Sequence, residues 1–350
     1  MTDKNLWDDE HQSYAEQFNP LRTDRQARRK RKLRPGHHPK KTAKQVIAEI
    51  AAATTIEEEF TTTYKPSKHE TGWLLSSLKP FYDQALITDV LALIKGGKEA
   101  NVYRCRANPS LDVEFLAAKV YRPRMFRQIR NDALYRQGRQ TLTAEGKAAE
   151  NTDQRILHAV AKKTAFGVQA AHTSWLMHEY TTLQRLHGLG AAVPQPFGTG
   201  ENAILMTYWG DENTAAPTLN TVELAPEEAE SLFAEVLRNI DLMLQQGLIH
   251  GDLSAYNLLY WEGQITMIDF PQVVNLHTND DAYFILQRDI TRICAYFVAQ
   301  GVECETTALL DDLWGYYVGI SPDEQTAERA NFLPEPEEEE DDYDEDDYDE

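Results

Sequence analysis

The chemistry this sequence offers is concentrated in one run, His250-Gly251-Asp252-Leu253-Ser254-Ala255-Tyr256-Asn257, followed by Ile268-Asp269-Phe270-Pro271-Gln272. Asp252 and Asn257 stand five apart on a loop leaving a helix, and Asp269 follows twelve residues later at the end of a strand. The pattern sets one carboxylate where it can orient a hydroxyl or a water. It sets an amide oxygen and a second carboxylate where they can hold magnesium. A helix cap would account for Asp252 alone and a turn for Asp269 alone, but neither accounts for the spacing and context of both. His250 is read as a packing and backbone-ordering residue, because the carboxylate two residues on already fills the role of a base. Asp289, in Gln-Arg-Asp-Ile, is read as an anchor for this loop from a neighbouring helix.

Phosphoryl transfer needs two further parts, a cradle for the phosphates and a cation on them. Lys95-Gly96-Gly97-Lys98-Glu99-Ala100-Asn101-Val102-Tyr103 lies between two strand-like runs. Against the pattern G-x-G-x-x-G-x-V it keeps the central glycine as Gly97 and the valine as Val102. A glycine pair between strands is more often a plain hairpin turn, so this motif is weak by itself. The cation is Lys119 in Leu-Ala-Ala-Lys-Val-Tyr. A lysine in an apolar strand asks for an anion, and its partners would be nucleotide phosphates and Glu179 on the helix from 174 to 188.

These residues need elements to carry them. A helix is expected over Trp73 to Asp83, then the β-rich run ITDVLALIKGGKEANVYRCRA and a second strand in VEFLAAKVY after the turn-like Asn108-Pro109. Residues 122 to 170 are charged and weakly periodic, and read as a loop of functional or flexible kind. In SWLMHEYTTLQRLHGLG, Leu176, Tyr180, Leu183 and Leu186 fall at helical spacing, with Gly188 or Gly190 as the stop. A strand NAILMTYWG follows, then a helix opened by Pro226-Glu227-Glu228 whose stripe Leu232, Val236, Ile240 and Leu244 is core. NLLY and ITMID, joined by the turn WEGQ, form a hairpin whose ends bring Asn257 and Asp269 together.

Charge and cysteine content narrow the classes further. The 350 residues hold 35 Lys and Arg against 56 Asp and Glu, a net charge of −21. Residues 22 to 44 carry eleven cations and residues 335 to 350 thirteen acids. With both runs removed the body is still acidic, which argues against a broad phosphate-binding face on it. The basic run reads as a solvated arm, or as a contact to RNA, to a ribosomal particle or to the acidic tail of the same chain. Cys105, Cys294 and Cys304 lie at no metal-ligand spacing, so neither a disulfide framework nor a zinc site is expected, and a cytoplasmic setting is the default. The longest apolar run, Ile293 to Ala299, is too short to span a membrane.

GKEANVY at 97–103, AKVY at 118–121, the Glu179 helix followed by VPQP at 193–196, HGDLSAYNLLY at 250–260 and IDFPQ at 268–272 together resemble the RIO kinases, an atypical branch of the protein-kinase-like superfamily. The resemblance covers residues 71 to about 300. It implies an α+β, two-lobed kinase-like fold with a small antiparallel-sheet N-lobe over a helical C-lobe, and ATP and Mg2+ in the cleft. The arrangement would be a disordered basic arm at 1–70, the N-lobe at 71–209 with a flexible loop near 122–170, the C-lobe at 210–325 and an acidic disordered tail at 326–350. It further implies Asp252 as the catalytic aspartate, Lys119 on the phosphates steadied by Glu179, and Asn257 and Asp269 as metal ligands. Gly97, Lys98, Ala100 and Val102 would lie over the nucleotide, with Thr207 and Trp209 in the hinge against adenine.

Two departures stand out. The family places Ser-Thr ahead of GKEAN where this chain has Lys95-Gly96. No A-P-E follows Asp269, which is normal for the family and means that peptide recognition of the ordinary kinase type is not expected. The expected function is an ATP- and Mg2+-dependent phosphotransferase acting on protein Ser/Thr or on itself, or hydrolysing ATP as a conformational switch. The alternatives are a small-molecule kinase of aminoglycoside or choline type and a ribosome- or RNA-associated assembly factor that uses the nucleotide site to set its shape. The protein substrate is not legible.

Overall fold

A computed structural model describes Phe60 and residues 62–67, 70–122, 139–149, 154–162 and 164–319. Most of the arm expected at 1–70 (its basic run at 22–44 included), the acidic tail at 326–350 and much of the loop expected near 122–170 lie outside the described residues. Phe60, which the expected arm includes, is instead buried in the core, with Tyr64 packed against the same cluster.

Helix α1 (Thr71–Asp83) precedes a five-stranded sheet in the order β1-β2-β3-β5-β4, antiparallel throughout. Its strands are β1 (Ile87–Gly96), β2 (Ala100–Ala107), β3 (Phe115–Tyr121), β4 (Pro196–Thr199) and β5 (Ala203–Thr207). Strand side chains alternate between faces, and β3 divides its residues between two cores accordingly. Leu116, Ala118 and Val120 pack with Leu74, Leu78 and Phe81 of α1, whereas Ala117 and Tyr121 join the larger core on the other side. Lys119 shares the face of Ala117 and Tyr121. One step of register would turn it away from the cleft and into the α1 layer.

The helix expected over 174–188 is α3 (Ala165–Gly188), which begins nine residues earlier, and α2 (Gln154–Ala161) precedes it. Part of the stretch read as loop is therefore helical. Its periodicity is hidden because α3 passes from one neighbour to another along its length, with Thr164 capping it by accepting from the Gly167 amide. At the other end the Ala191 amide donates to Leu186 O and the Gly190 amide to His187 O, with Gly190 at φ 74°, a Schellman stop.

The helical part consists of α4 (Pro226–Gln245), α5 (Ala282–Ala299) and α6 (Thr306–Tyr317). Leu232, Val236, Ile240 and Leu244 of α4 are buried as the stripe predicted, each contributing roughly 1.5–3 kcal/mol of apolar transfer. Between α4 and α5 run a short pair, β6 (Leu248–Ile249) with β9 (Val274–Asn275), and the hairpin β7 (Leu258–Trp261) with β8 (Gln264–Met267). Two expected strands are shorter than read: β3 starts at Phe115 and β5 stops at Thr207. One expectation is overturned. Cys294 and Cys304 form a disulfide, because the chain turns back after α5 and brings their Cα atoms to 5.7 Å. Cys105 is a buried free thiol.

Candidate active site

Burial places Glu179 before any charge does. On α3 it falls three residues after Leu176 and four before Leu183, both fully packed, so the buried stripe carries the carboxylate inward. Glu179 is 1% exposed there, and the Lys119 Nζ lies 2.5 Å from its Oε1. Its other oxygen, Oε2, accepts from the Tyr121 hydroxyl. Tyr121, two residues after Lys119 and on the same face of β3, packs edge-on against Trp175 with centroids 4.5 Å apart. The Lys119 ammonium also lies 5.2 Å from the Tyr121 ring centroid.

The same ammonium reaches 2.7 Å to the Asp269 Oδ1. Burial pushes against the charged form of Lys119, but Asp269, Glu179 and Tyr121 outweigh it and hold the ammonium well above the ordinary lysine value. For Asp269 burial likewise opposes ionisation, and the Lys119 charge and hydrogen bond overcome it, with smaller pulls from His250 and Lys95, so its carboxyl sits below the ordinary range. Asp269 has φ 74°, a left-handed conformation that costs a non-glycine residue of order 1 kcal/mol. Its loop is held from outside: one Arg139 nitrogen donates to Pro271 O at 2.8 Å and to Val273 O at 2.6 Å.

The hairpin delivers Asn257 as expected, since the Ile268 amide donates to Asn257 O at 3.0 Å and thereby sets the residues flanking β7 and β8 side by side. Asn257 Nδ2 donates to Asp252 O at 2.8 Å and to Asp252 Oδ2 at 3.3 Å. That orientation leaves the Asn257 amide oxygen on the side away from Asp252. Asp289, on α5 and 2% exposed, takes the Gly251 amide at 2.8 Å and the Leu253 amide at 3.2 Å. It is the loop anchor that its sequence context indicated. Burial pushes its carboxyl up to about 7 against these bonds and against Arg288. Gly251 has φ 83°, and a Cβ there would meet Gln272 O at 2.2 Å, so only glycine fits where the Asp252 and Asp269 loops touch.

His250 accepts the Asp252 amide at Nδ1, 3.3 Å away, and donates from Nε2 to Ile268 O at 3.2 Å. Burial keeps its pKa below the usual histidine value. Both ring nitrogens are thus spent on backbone, which fits ordering of the two loops rather than proton transfer.

The glycine-containing turn closes on itself. The Gly97 amide donates to Ala100 O at 2.9 Å and to Asn101 Oδ1 at 3.3 Å, and a Cβ on Gly97 would lie 2.6 Å from Ala100 O. Asn101 is 4% exposed and ties the turn to Arg122 and Tyr103. Ala100 and Val102 pack toward the larger core, on the Lys119 side, with Val102 opposite Lys119 in register. Lys98 is exposed and has no ion-pair partner among the described residues. At the expected hinge the Thr207 amide is committed to Gln195 O at 2.9 Å and Trp209 O to the Ala216 amide at 2.9 Å. The Trp209 indole N–H is buried without a partner among the described residues.

The structure therefore brings Lys119, Glu179 and Asp269 into one cluster and Asp252 with Asn257 into another on the adjoining loop. It leaves Lys98 outside both. Sequence reading missed Tyr121, Asn101, Arg139, Arg288 and Arg292. Arg288 donates to Gly251 O, and Arg292 Nη1 lies 2.8 Å from the Asp252 Oδ1. The signal for the last two was present: they flank Asp289 on the same helix, one residue before it and three after. Tyr121 and Asn101 sit inside the motifs that carry the chemistry without any mark of their own, and nothing marks Arg139.

Comparison with known proteins gives the same direction. The family model described as the RIO domain matches residues 101–309, more than half of the chain. The RIO-type serine/threonine-protein kinase Rio1 of Haloferax volcanii is 28% identical over 223 residues, 63% of this chain and 68% of that protein. The serine/threonine-protein kinase RIO1 of Chaetomium thermophilum is 30% identical over 230 residues, 62% of this chain but 41% of that longer protein. Among solved structures, a Rio2 kinase-ADP/Mg2+-phosphoaspartate complex from Chaetomium thermophilum superposes with a TM-score of 0.46 and 18% identity, over 84% of this chain and 85% of that one.

Proposed function

The chain belongs to the RIO-domain family, and from that premise we propose that it is an ATP- and Mg2+-dependent phosphotransferase of the atypical serine/threonine kinase type. The observation that carries the reading is Lys119, a nearly buried ammonium within hydrogen-bond distance of both Glu179 and Asp269. A structural ion pair needs one carboxylate; here a second, 43% exposed, opens the cluster toward solvent.

The residues fit a magnesium ion. Asp269 supplies a carboxylate and Asn257 an amide oxygen directed away from Asp252, an all-oxygen set of the small size that magnesium takes when phosphate oxygens and waters complete its shell. Bound there, the ion would neutralise charge on the phosphate oxygens. Lys119 holds the phosphates, and Glu179, fixed from its other side by Tyr121, keeps the ammonium aimed and charged. Asp252 orients the acceptor hydroxyl and takes its proton as the oxygen bonds to phosphorus and ADP leaves. Ala100 and Val102 cover the nucleotide, and Thr207 and Trp209 border the adenine. Lys98, exposed beside the turn, reaches outer phosphate oxygens.

The acceptor in this reading is a protein Ser/Thr hydroxyl, the chain itself, or water in an ATP-driven conformational cycle. A cytoplasmic location is part of the same reading, although the Cys294–Cys304 bond counts against it; among the described residues no helix is long and apolar enough to cross a membrane. A contact to RNA or a ribosomal particle would rest on residues 22–44. The test is turnover of ATP with Mg2+ by the purified chain, with the product's phosphate located by mass analysis. Unaltered phosphate release in Asp252→Ala would refute the assignment.

A further inference from the structure

Arg292 stands at the mouth of the site with its guanidinium on the residue that meets the acceptor. Its Nη1 lies 2.8 Å from the Asp252 Oδ1, the side chains are 42% and 39% exposed, and Asp252 is its only hydrogen-bond partner among the described residues. The Asp252 Oδ2 faces Asn257 Nδ2 at 3.3 Å. A hydroxyl approaching Asp252 from solvent therefore meets Arg292 beside it.

Two features of the surroundings bear on what that hydroxyl belongs to. Only residues 270–281 separate Asp269 from α5, so no long segment after the metal loop lies across the acceptor side. The surface there is α5 itself, which presents Phe284, Arg288 and Arg292 at successive turns, with Phe284 64% exposed. Tyr256, 65% exposed, projects from the turn carrying Asn257. An exposed ion pair is worth at most about 1 kcal/mol, so an incoming anion exchanges with Asp252 on Arg292 at little cost. That exchange frees the Asp252 oxygen for the hydroxyl. A cationic neighbour of the hydroxyl would face the guanidinium and be repelled.

Building on the phosphotransfer reading, we propose that Arg292 is a specificity-determining residue that selects acceptors carrying a carboxylate or phosphate beside the hydroxyl. The acceptor class is thus an acidic Ser/Thr segment. The acid body of the chain opposes such a partner at long range, so the preference is local and persists at physiological salt, where the Debye length is about 8 Å.

The experiment uses the full chain, Mg2+-ATP and two synthetic peptides of equal length, one with serine flanked by glutamates and one by lysines, at about 150 mM salt. The wild type is expected to favour the glutamate peptide at least tenfold in kcat/KM. Arg292→Lys keeps the preference, Arg292→Gln brings the ratio near one and Arg292→Glu inverts it; the ratio is read within each variant, so a general loss of rate does not affect it. Equal use of both peptides by the wild type, a preference that survives Arg292→Glu and Arg292→Gln, or use of neither peptide by a chain that binds Mg2+-ATP overturns the inference and leaves the phosphotransfer reading standing. Failure to bind Mg2+-ATP overturns both.

Discussion

Lys119 and Asp269 stand 150 positions apart in the chain, yet the lysine Nζ and the aspartate Oδ1 are 2.7 Å apart. The contact joins the sheet to the loop after the β7–β8 hairpin, and it makes one ammonium answer to two carboxylates. Everything proposed about catalysis depends on that sharing.

Lys119→Met removes the positive charge from a site where Glu179 is 1% exposed. An uncompensated buried carboxylate costs about 3–5 kcal/mol. The variant should lose turnover and unfold at markedly lower urea concentration than wild type. Lys119→Met together with Glu179→Leu should regain stability without regaining turnover. A single variant as stable as wild type would contradict the buried pair.

Asp252→Asn keeps size and the Asn257 bond to the Asp252 carbonyl, gives up one of the two side-chain bonds from Asn257 and Arg292, and removes the acceptor of the hydroxyl proton. Phosphate transfer should fall roughly a hundredfold or more. The KM for ATP should hardly change, because Asp252 faces the acceptor. A raised KM with unchanged kcat would move Asp252 to the nucleotide side.

Asp289 gives a pH dependence of known sign. Its carboxyl is pushed up to about 7 by burial, well above the unfolded value of about 4. Between those values the folded chain holds the proton more often than the unfolded one, so this group's contribution is full at low pH and declines as pH rises through about 7. Asparagine mimics the protonated state. The stability of wild type relative to Asp289→Asn, from urea unfolding, should therefore fall between about pH 5 and pH 7.5 by up to about 2 kcal/mol. His250, whose lowered pKa gives the opposite slope, is present in both proteins and cancels. A difference that grows with pH would contradict the assignment.

The Cys294–Cys304 bond closes a short loop between α5 and α6. Loop-closure entropy for a separation of 10 residues is worth about 2–3 kcal/mol. Cys304→Ser should lower the thermal midpoint by several degrees, and added dithiothreitol should lower that of wild type but not of the variant. Identical midpoints with and without reductant would contradict the bond.

How much of the molecule is legible in the sequence depends on how local each feature is. The β7–β8 hairpin, the α4 stripe and the Asp252–Asn257 spacing are encoded within a few residues, and each stands where periodicity and turn chemistry place it. Glu179 could be placed on a helix, but its near-complete burial depends on the partners that surround it. Arg139 reaches the site across a separation of 132 residues, which no local pattern records, whereas Arg292 lies within one turn of Asp289 on α5. The Cys294–Cys304 contact depends on how the chain turns after α5; α2 is amphipathic but short, Gln154–Ala161, and the start of α3 lacks the steady stripe that marks a helix packed on one neighbour.

The most direct test of the central claim is calorimetric titration of ATP into wild type and Asp269→Asn, each with and without Mg2+. Wild type should take up one nucleotide per chain, more tightly when magnesium is present, and Asp269→Asn should lose the magnesium-dependent gain. No nucleotide uptake by wild type, or the same magnesium effect in both proteins, would contradict the account.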